Sequence, residues 1–168
     1  MNTEINNIIQ KFDLLPHPEG GFFKETYRSQ GSIPNTSLDK EIEGERNYCT
    51  GIYFLLTSAS FSAFHKINQD EMWHFYGGSP LRIHMISPEG NYSYQDVGTN
   101  FENDELPQFV VPAKHWFGAE VLQPDSYSFV GCTVAPGFDF RDFKLAKQKD
   151  LLKICPSQEA LINKLTLE

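Results

Sequence analysis

The sequence predicts an all-β chain, an antiparallel sandwich or barrel with short helices at its two ends. Short apolar runs recur from about residue 50 to about residue 134, Gly, Pro, Asn and Asp separate them, and no helical period intervenes. With 168 residues, 40% of them hydrophobic and 14% aromatic, the chain has material for a single domain with a sizeable core. That content excludes a disordered chain or a coiled coil.

The elements follow in order. Ile5, Ile8, Ile9 and Phe12 recur at helical spacing behind Thr3, a residue suited to cap, which predicts an amphipathic helix over about residues 3–13, ending before Pro16. His17-Pro18-Glu19-Gly20-Gly21 is a shaped turn, and the aromatic-rich Phe22 to Arg28 alternates like a strand. Residues 29–46 are polar and interrupted by Gly31, Pro34 and Gly44, and read as a mobile excursion. Strands are expected at about 50–57, 61–67, 71–76, 80–86, 91–96, 108–112, 116–122 and 126–134, with the barrel spanning about 20–140. Helical composition returns over 145–154 and, after Pro156, over 157–165, with Ser157 as the expected cap.

The formal charge is −8, and a field of that sign repels phosphate backbones and anionic lipid heads. Nucleic acid and membranes are therefore excluded as partners. No apolar run approaches the roughly 18 residues of a bilayer span, and the opening residues carry no signal-peptide core, so a cytoplasmic location is expected. Cys49, Cys132 and Cys155 are odd in number and widely spaced, and read as free thiols.

Groups able to titrate or bind metal concentrate in Phe64 to Gly78 and in Gln108 to Trp116. Read as a hairpin turning at Asn68 to Asp70, the first stretch sets His65 and Glu71 on one face, a general-base pair or half a metal site. His74 lies three residues beyond Glu71, so regular pleating points it to the opposite face unless a β-bulge intervenes. Trp73 and Phe75 share the Glu71 face and, with Tyr53, Trp116 and Phe129, offer an aromatic wall to a flat ligand or sugar ring. Gln108 and His115 are candidate orienting groups at the barrel mouth. The loop of His17, Glu19, Gly20 and Gly21 reads either as a lid, with Glu25 or Arg28 reaching a substrate, or as a turn that docks the first strand.

The Phe64 to Gly78 stretch resembles the first motif of the cupin superfamily, with His65, Glu71 and Gly78 at the motif's first His, Glu and closing Gly, and Ile67 at its second His. The second motif is matched at Pro112, while Leu106, Lys114, Phe117 and Val121 stand at its two Gly, His and Asn positions. Longer strings resemble, over nearly the whole chain, the uncharacterised cupin branch called domain of unknown function 985: HPEGGFFKETYR, DEMWHFYGGSPL, VPAKHW and GCTVAPGFDFRDF. That resemblance implies a double-stranded β-helix, the jelly-roll cupin barrel, paired as a homodimer and holding a small-molecule pocket. Members are similar in shape to sugar-nucleotide epimerases and to seed-storage cupins, although the epimerases' signature around the base is not matched at Ser62 to Ile67.

The resulting expectation is metal-independent acid/base chemistry of isomerase or epimerase type on a carbohydrate-like ligand, with no cofactor. His65 abstracts or relays a proton, and Glu71 orients it or binds substrate. One alternative is a metal-dependent cupin whose divalent ion sits on His65, Glu71, His74 and His115. Another is a ligand-binding or sensing protein without catalysis.

Overall fold

The computed structural model describes residues 3–167. Its strands are β1 (Leu15–Pro16), β2 (Phe22–Arg28), β3 (Ser32–Ile33), β4 (Arg46–Asn47), β5 (Thr50–Thr57), β6 (Phe61–Lys66), β7 (Asp70–Gly78), β8 (Leu81–Ile86), β9 (Tyr92–Val97), β10 (Gln108–Val111), β11 (Trp116–Val121), β12 (Tyr127–Ala135) and β13 (Lys144–Leu145). Its helices are α1 (Thr3–Lys11), α2 (Gln148–Ile154) and α3 (Glu159–Lys164). Every expected strand is present. Ser157 lies inside a short 3-10 turn, Pro156–Gln158, instead of capping α3. No described helix is long and apolar enough to cross a membrane.

The pairings are nested. β8 pairs with β9, β7 with β10, β6 with β11 and β5 with β12, all antiparallel. A long hairpin of four strand pairs has been wound so that successive pairs alternate between two sheets, which is the jelly roll. One sheet runs β1-β2-β5-β12-β7-β10 and the other β13-β6-β11-β8-β9. The turn at Asn68 therefore crosses between sheets, and β6 and β7 are not a hairpin.

Strand alternation sends Phe54, Leu56, Trp73, Leu81, Ile83, Phe117, Val130 and Cys132 into the space between the sheets. The outer faces are also covered. Helix α1 lays Ile5, Ile8 and Ile9, with Phe12 just after it, on Phe22, Tyr53, Leu55, Tyr127 and Phe129 of the first sheet. Helices α2 and α3 bring Leu151 and Ile162, with Cys155 between them, onto Phe64, Ile86 and Trp116 of the second. Residues 29–46 carry β3 and a 3-10 turn at Asn35–Ser37, and end at Arg46, whose guanidinium binds both oxygens of buried Asp142 at 2.8 and 2.9 Å.

Candidate functional site

A cavity of about 250 Å³ opens between the two sheets at one end of the barrel. Three sources of chain build it: the inner faces of β2, β5, β6, β7 and β12, the loop His17 to Gly21, and the segment Phe138 to Phe143. The loop is held against the barrel by Ala63 N–H donating to the Glu19 carbonyl at 2.8 Å. Its paired glycines are required by the backbone, because Gly20 has φ +111° and Gly21 φ +70°, and a Cβ on Gly20 would collide with the Phe61 carbonyl oxygen. This close seat carries the side chains of His17 and Glu19 into the cavity.

Glu19 is the hub of the site. Its Oε2 lies 3.1 Å from His65 Nε2 and 3.3 Å from His17 Nδ1, while Ser62 Oγ donates to Oε1 at 2.7 Å. His65 Nδ1 lies 2.7 Å from the Ala63 carbonyl, which only accepts, so Nδ1 carries a proton. Both ring nitrogens of His65 are thus engaged. All of these groups are withdrawn from water, and burial works in one direction. It raises the Glu19 carboxyl well above its ordinary range, with nearby Glu71 adding to the rise. The same burial lowers His65 to about 3 and His17 to about 4. The triad therefore rests neutral, with a proton on Glu19 Oε2 between two acceptors, His65 Nε2 and His17 Nδ1. The Glu19 backbone N–H points at His17 Nδ1 at 3.4 Å, which places the His17 proton on Nε2, and Nε2 has no protein partner among the described residues.

Glu71 enters the cavity from β7 and is 8% exposed. Among the described residues no Lys or Arg forms an ion pair with it. Its neighbour is the Cys132 thiol, and burial lifts its pKa from 4.5 to about 7. Cys132 is itself pushed well above the thiol range, first by burial and then by Glu71, so it is an unreactive thiol. Trp73 lines the same cavity, and its buried indole N–H has no acceptor among the described residues. Five phenylalanines, Phe23, Phe54, Phe138, Phe140 and Phe143, make much of the remaining wall, with Ile52, Ile67 and Val134 beside them.

Of the residues expected from sequence, His65, Glu71 and Trp73 line the cavity, as do His17, Glu19, Glu25 and Arg28. His65 and Glu71 come from different sheets, and the carboxyl that holds His65 is Glu19, not Glu71. Phe75 packs inside the barrel but beyond the cavity lining. Tyr53 and Phe129 lie on the outer face under α1, and Trp116 lies outside the second sheet with the Lys66 ammonium 4.8 Å from its ring centroid. Gln108 reaches the Met72 sulfur on an outer face at 2.9 Å, and His115 Nδ1 faces the Ala113 carbonyl at 3.3 Å; neither lines the cavity. His74 points outward to the Thr133 hydroxyl at 3.0 Å, because the irregularity in β7 follows it, opposite Phe129 and Val130.

The metal set His65, Glu71, His74 and His115 therefore does not converge. No cluster of His, Cys, Asp or Glu among the described residues is arranged to hold a metal ion, and His65 has no free nitrogen to offer one. The residues present do not fit a metal centre.

Comparison with known proteins agrees with this architecture. The sequence profile described as Cupin superfamily (DUF985) matches residues 6–146. An uncharacterised protein of Saccharomyces cerevisiae is 33% identical over 164 residues, covering 90% of this chain and 79% of the yeast protein. The crystal structure of a Shewanella oneidensis protein is similar with a TM-score of 0.87 at 38% identity, covering 99% of this chain and 98% of that one. A hypothetical protein from Leishmania major gives 0.86 at 35%, covering 97% and 98%. A cupin 2 domain-containing protein from Halorhodospira halophila, at 9% identity and a TM-score of 0.55 over 92% and 96% of the two chains, shares the fold. The chain belongs to the cupin superfamily, in its DUF985 family.

Proposed function

We propose that this protein binds a small hydroxylated ring in the barrel cavity and moves protons on it without a metal, as an isomerase or epimerase of carbohydrate-like substrates does. The observation that carries the reading is Glu19 Oε2, shared by His65 and His17 in a buried relay that ends at the unpartnered His17 Nε2. A cavity of about 250 Å³ lies below the usual range of about 300–1,000 Å³ for ligand clefts and suits a single ring.

The chemistry needs an acid and a base that act together. Glu71, with a pKa of about 7, is part carboxylate at neutral pH and has the basicity suited to taking a proton from a carbon beside a carbonyl. His17 Nε2–H supplies a proton to the carbonyl oxygen as the carbon loses its own. The Glu19 proton then moves to His17 Nδ1, and Ser62 and His17 Nδ1–H hold the Glu19 carboxylate left behind. The product of this step is an enediol. Running the transfers backwards at the neighbouring carbon moves the carbonyl, and an enediol that turns over in the cavity before Glu71 returns the proton emerges with the centre inverted. His65 is in this account a positioning residue: its Nε2 fixes the Glu19 carboxyl. The Trp73 indole N–H is available to a ligand oxygen.

The test is solvent exchange. A panel of aldoses and ketoses is incubated with the protein in D₂O and followed by proton NMR. The protein is expected to wash deuterium into the position beside the carbonyl of at least one member, and Glu71→Gln and His17→Asn to stop it. Exchange that is absent across the panel, or that persists in Glu71→Gln, overturns the reading.

A further inference from the structure

Among the described residues that line the cavity, Arg28 is the one lysine or arginine, and it is already occupied. Its Nε donates to Glu25 Oε1 at 2.9 Å and its Nη2 to Glu25 Oε2 at 2.7 Å, a two-pronged grip of the kind a guanidinium offers to a phosphate or carboxylate. Nη2 also donates to the Phe138 carbonyl at 3.1 Å, and Nη1 to Asn47 Oδ1 at 2.9 Å. Of the guanidinium's five N–H bonds only one, on Nη1, is left for a ligand.

This pairing depends on an irregularity in the strand. Glu25 and Arg28 are three residues apart, and regular pleating would put them on opposite faces of β2. A register shift between Glu25 and Tyr27 against β5 returns both to the cavity side. Bulges re-aim side chains in this way beside functional sites. The effect here is that an internal carboxylate fills the anion-binding fork at the entrance. The other acidic groups on the cavity wall are Glu19, Glu71 and Asp139; among the described residues neither glutamate has a Lys or Arg paired with it, and Asp139 is gripped by Arg141 at 2.8 and 2.9 Å. The chain as a whole is at −8, which adds a repulsive background for anions.

We infer that Glu25 is a specificity-determining residue: by occupying Arg28 it confines the cavity to uncharged rings and excludes phosphorylated or acidic sugars. The inference rests on the reading that the cavity is the substrate site. A neutral ligand can use the remaining Nη1–H for a hydroxyl, whereas a phosphate ester must first displace Glu25 into a wall of like charge.

The experiment pairs aldohexoses with their own phosphate monoesters, glucose with glucose 6-phosphate and mannose with mannose 6-phosphate, and measures binding by calorimetry and by saturation-transfer NMR. The wild type is expected to bind the neutral member at least ten-fold more tightly. Glu25→Gln frees the guanidinium while leaving a group of the same shape, and is expected to narrow that ratio at least ten-fold. The double variant Glu25→Gln/Arg28→Gln is expected to lose the gain. Glu25 is 39% exposed at its side chain, so the single substitution leaves no buried hole. A wild type that binds phosphate esters as well as neutral sugars, or a ratio unmoved in Glu25→Gln, overturns the role of Glu25 and leaves the site reading intact. Failure of every probe, neutral and charged, in wild type and variant alike, overturns both.

Discussion

Glu71 makes stability depend on pH in a direction opposite to that of an ordinary ion-paired carboxylate. In the unfolded chain it titrates near 4.5, and in the folded one near 7, because burial disfavours its charge and no cation offsets it. At about 1.4 kcal/mol per pH unit this is worth about 3 kcal/mol. Between the two values the folded chain binds more protons than the unfolded one, so this contribution is complete below pH 4.5 and is lost as the pH rises through about 7. Glu71→Gln replaces the carboxyl with a group that never ionises and so removes the slope. Urea unfolding of both proteins from about pH 5 to about pH 8 reads Glu71 together with its coupling to Glu19 and Cys132, since the groups remote from it cancel in the difference. The variant is expected to gain about 2–3 kcal/mol on the wild type across that range. A difference that stays flat to within about 0.5 kcal/mol would refute the reasoning, and one of opposite sign would mean that a cation reaches Glu71 in solution.

Three further substitutions test the framework around the site. Ser62→Ala removes the hydroxyl that donates to Glu19 Oε1, and chemical denaturation should register a loss of about 1–2 kcal/mol. Gly20→Ala meets both a φ of +111° and the Phe61 carbonyl; a loss of about 2 kcal/mol or more is expected by thermal melting, and a variant as stable as wild type would show that the loop does not seat as described. Arg46→Ala leaves Asp142 buried without its cation at a cost of about 3–5 kcal/mol, most of which the double variant with Asp142→Ala should restore in a denaturation cycle.

Local pattern carried the strands, because each has an inward set of apolar residues that alternates with its neighbours. It also carried the outward direction of His74, which follows from parity alone and is met by the hydrogen bond to Thr133 on the far face. The same logic failed for Tyr53, Phe129 and Trp116. Helices cover the outside of both sheets, so an aromatic residue buried under a helix has the same pattern as one buried in the barrel. The hairpin between His65 and Glu71 failed for another reason. A turn sequence such as Asn68-Gln69-Asp70 reports that the chain reverses, not whether the next strand joins the same sheet, and the nesting that separates β6 from β7 is set by pairings remote in sequence. Glu19 and its two histidines could be suspected only from the paired glycines, since Ser62 and Glu19 are 43 residues apart. The bulge that joins Glu25 to Arg28 left no readable mark at all.

Two buried acids, Asp142 and Glu71, are treated differently by their surroundings. Asp142 is 6% exposed and is matched atom for atom by Arg46, with Gln69 Nε2 adding a third donor at 2.7 Å. Burial there is neutralised, and it fastens the end of the 29–46 segment to the loop that forms the cavity wall. Glu71 is buried to a similar degree and is given a thiol. A sequence able to place a guanidinium against one internal carboxylate has not placed one against the other, although Arg28 lines the same cavity and is instead bound to Glu25. Pairing Glu71 with a cation would return its pKa to the ordinary range and remove its ability to exchange a proton near neutrality. On the proposed acid/base reading, the stability lost by leaving it bare is what a group that exchanges protons near neutrality requires, and the pH slope is the measurement of that loss.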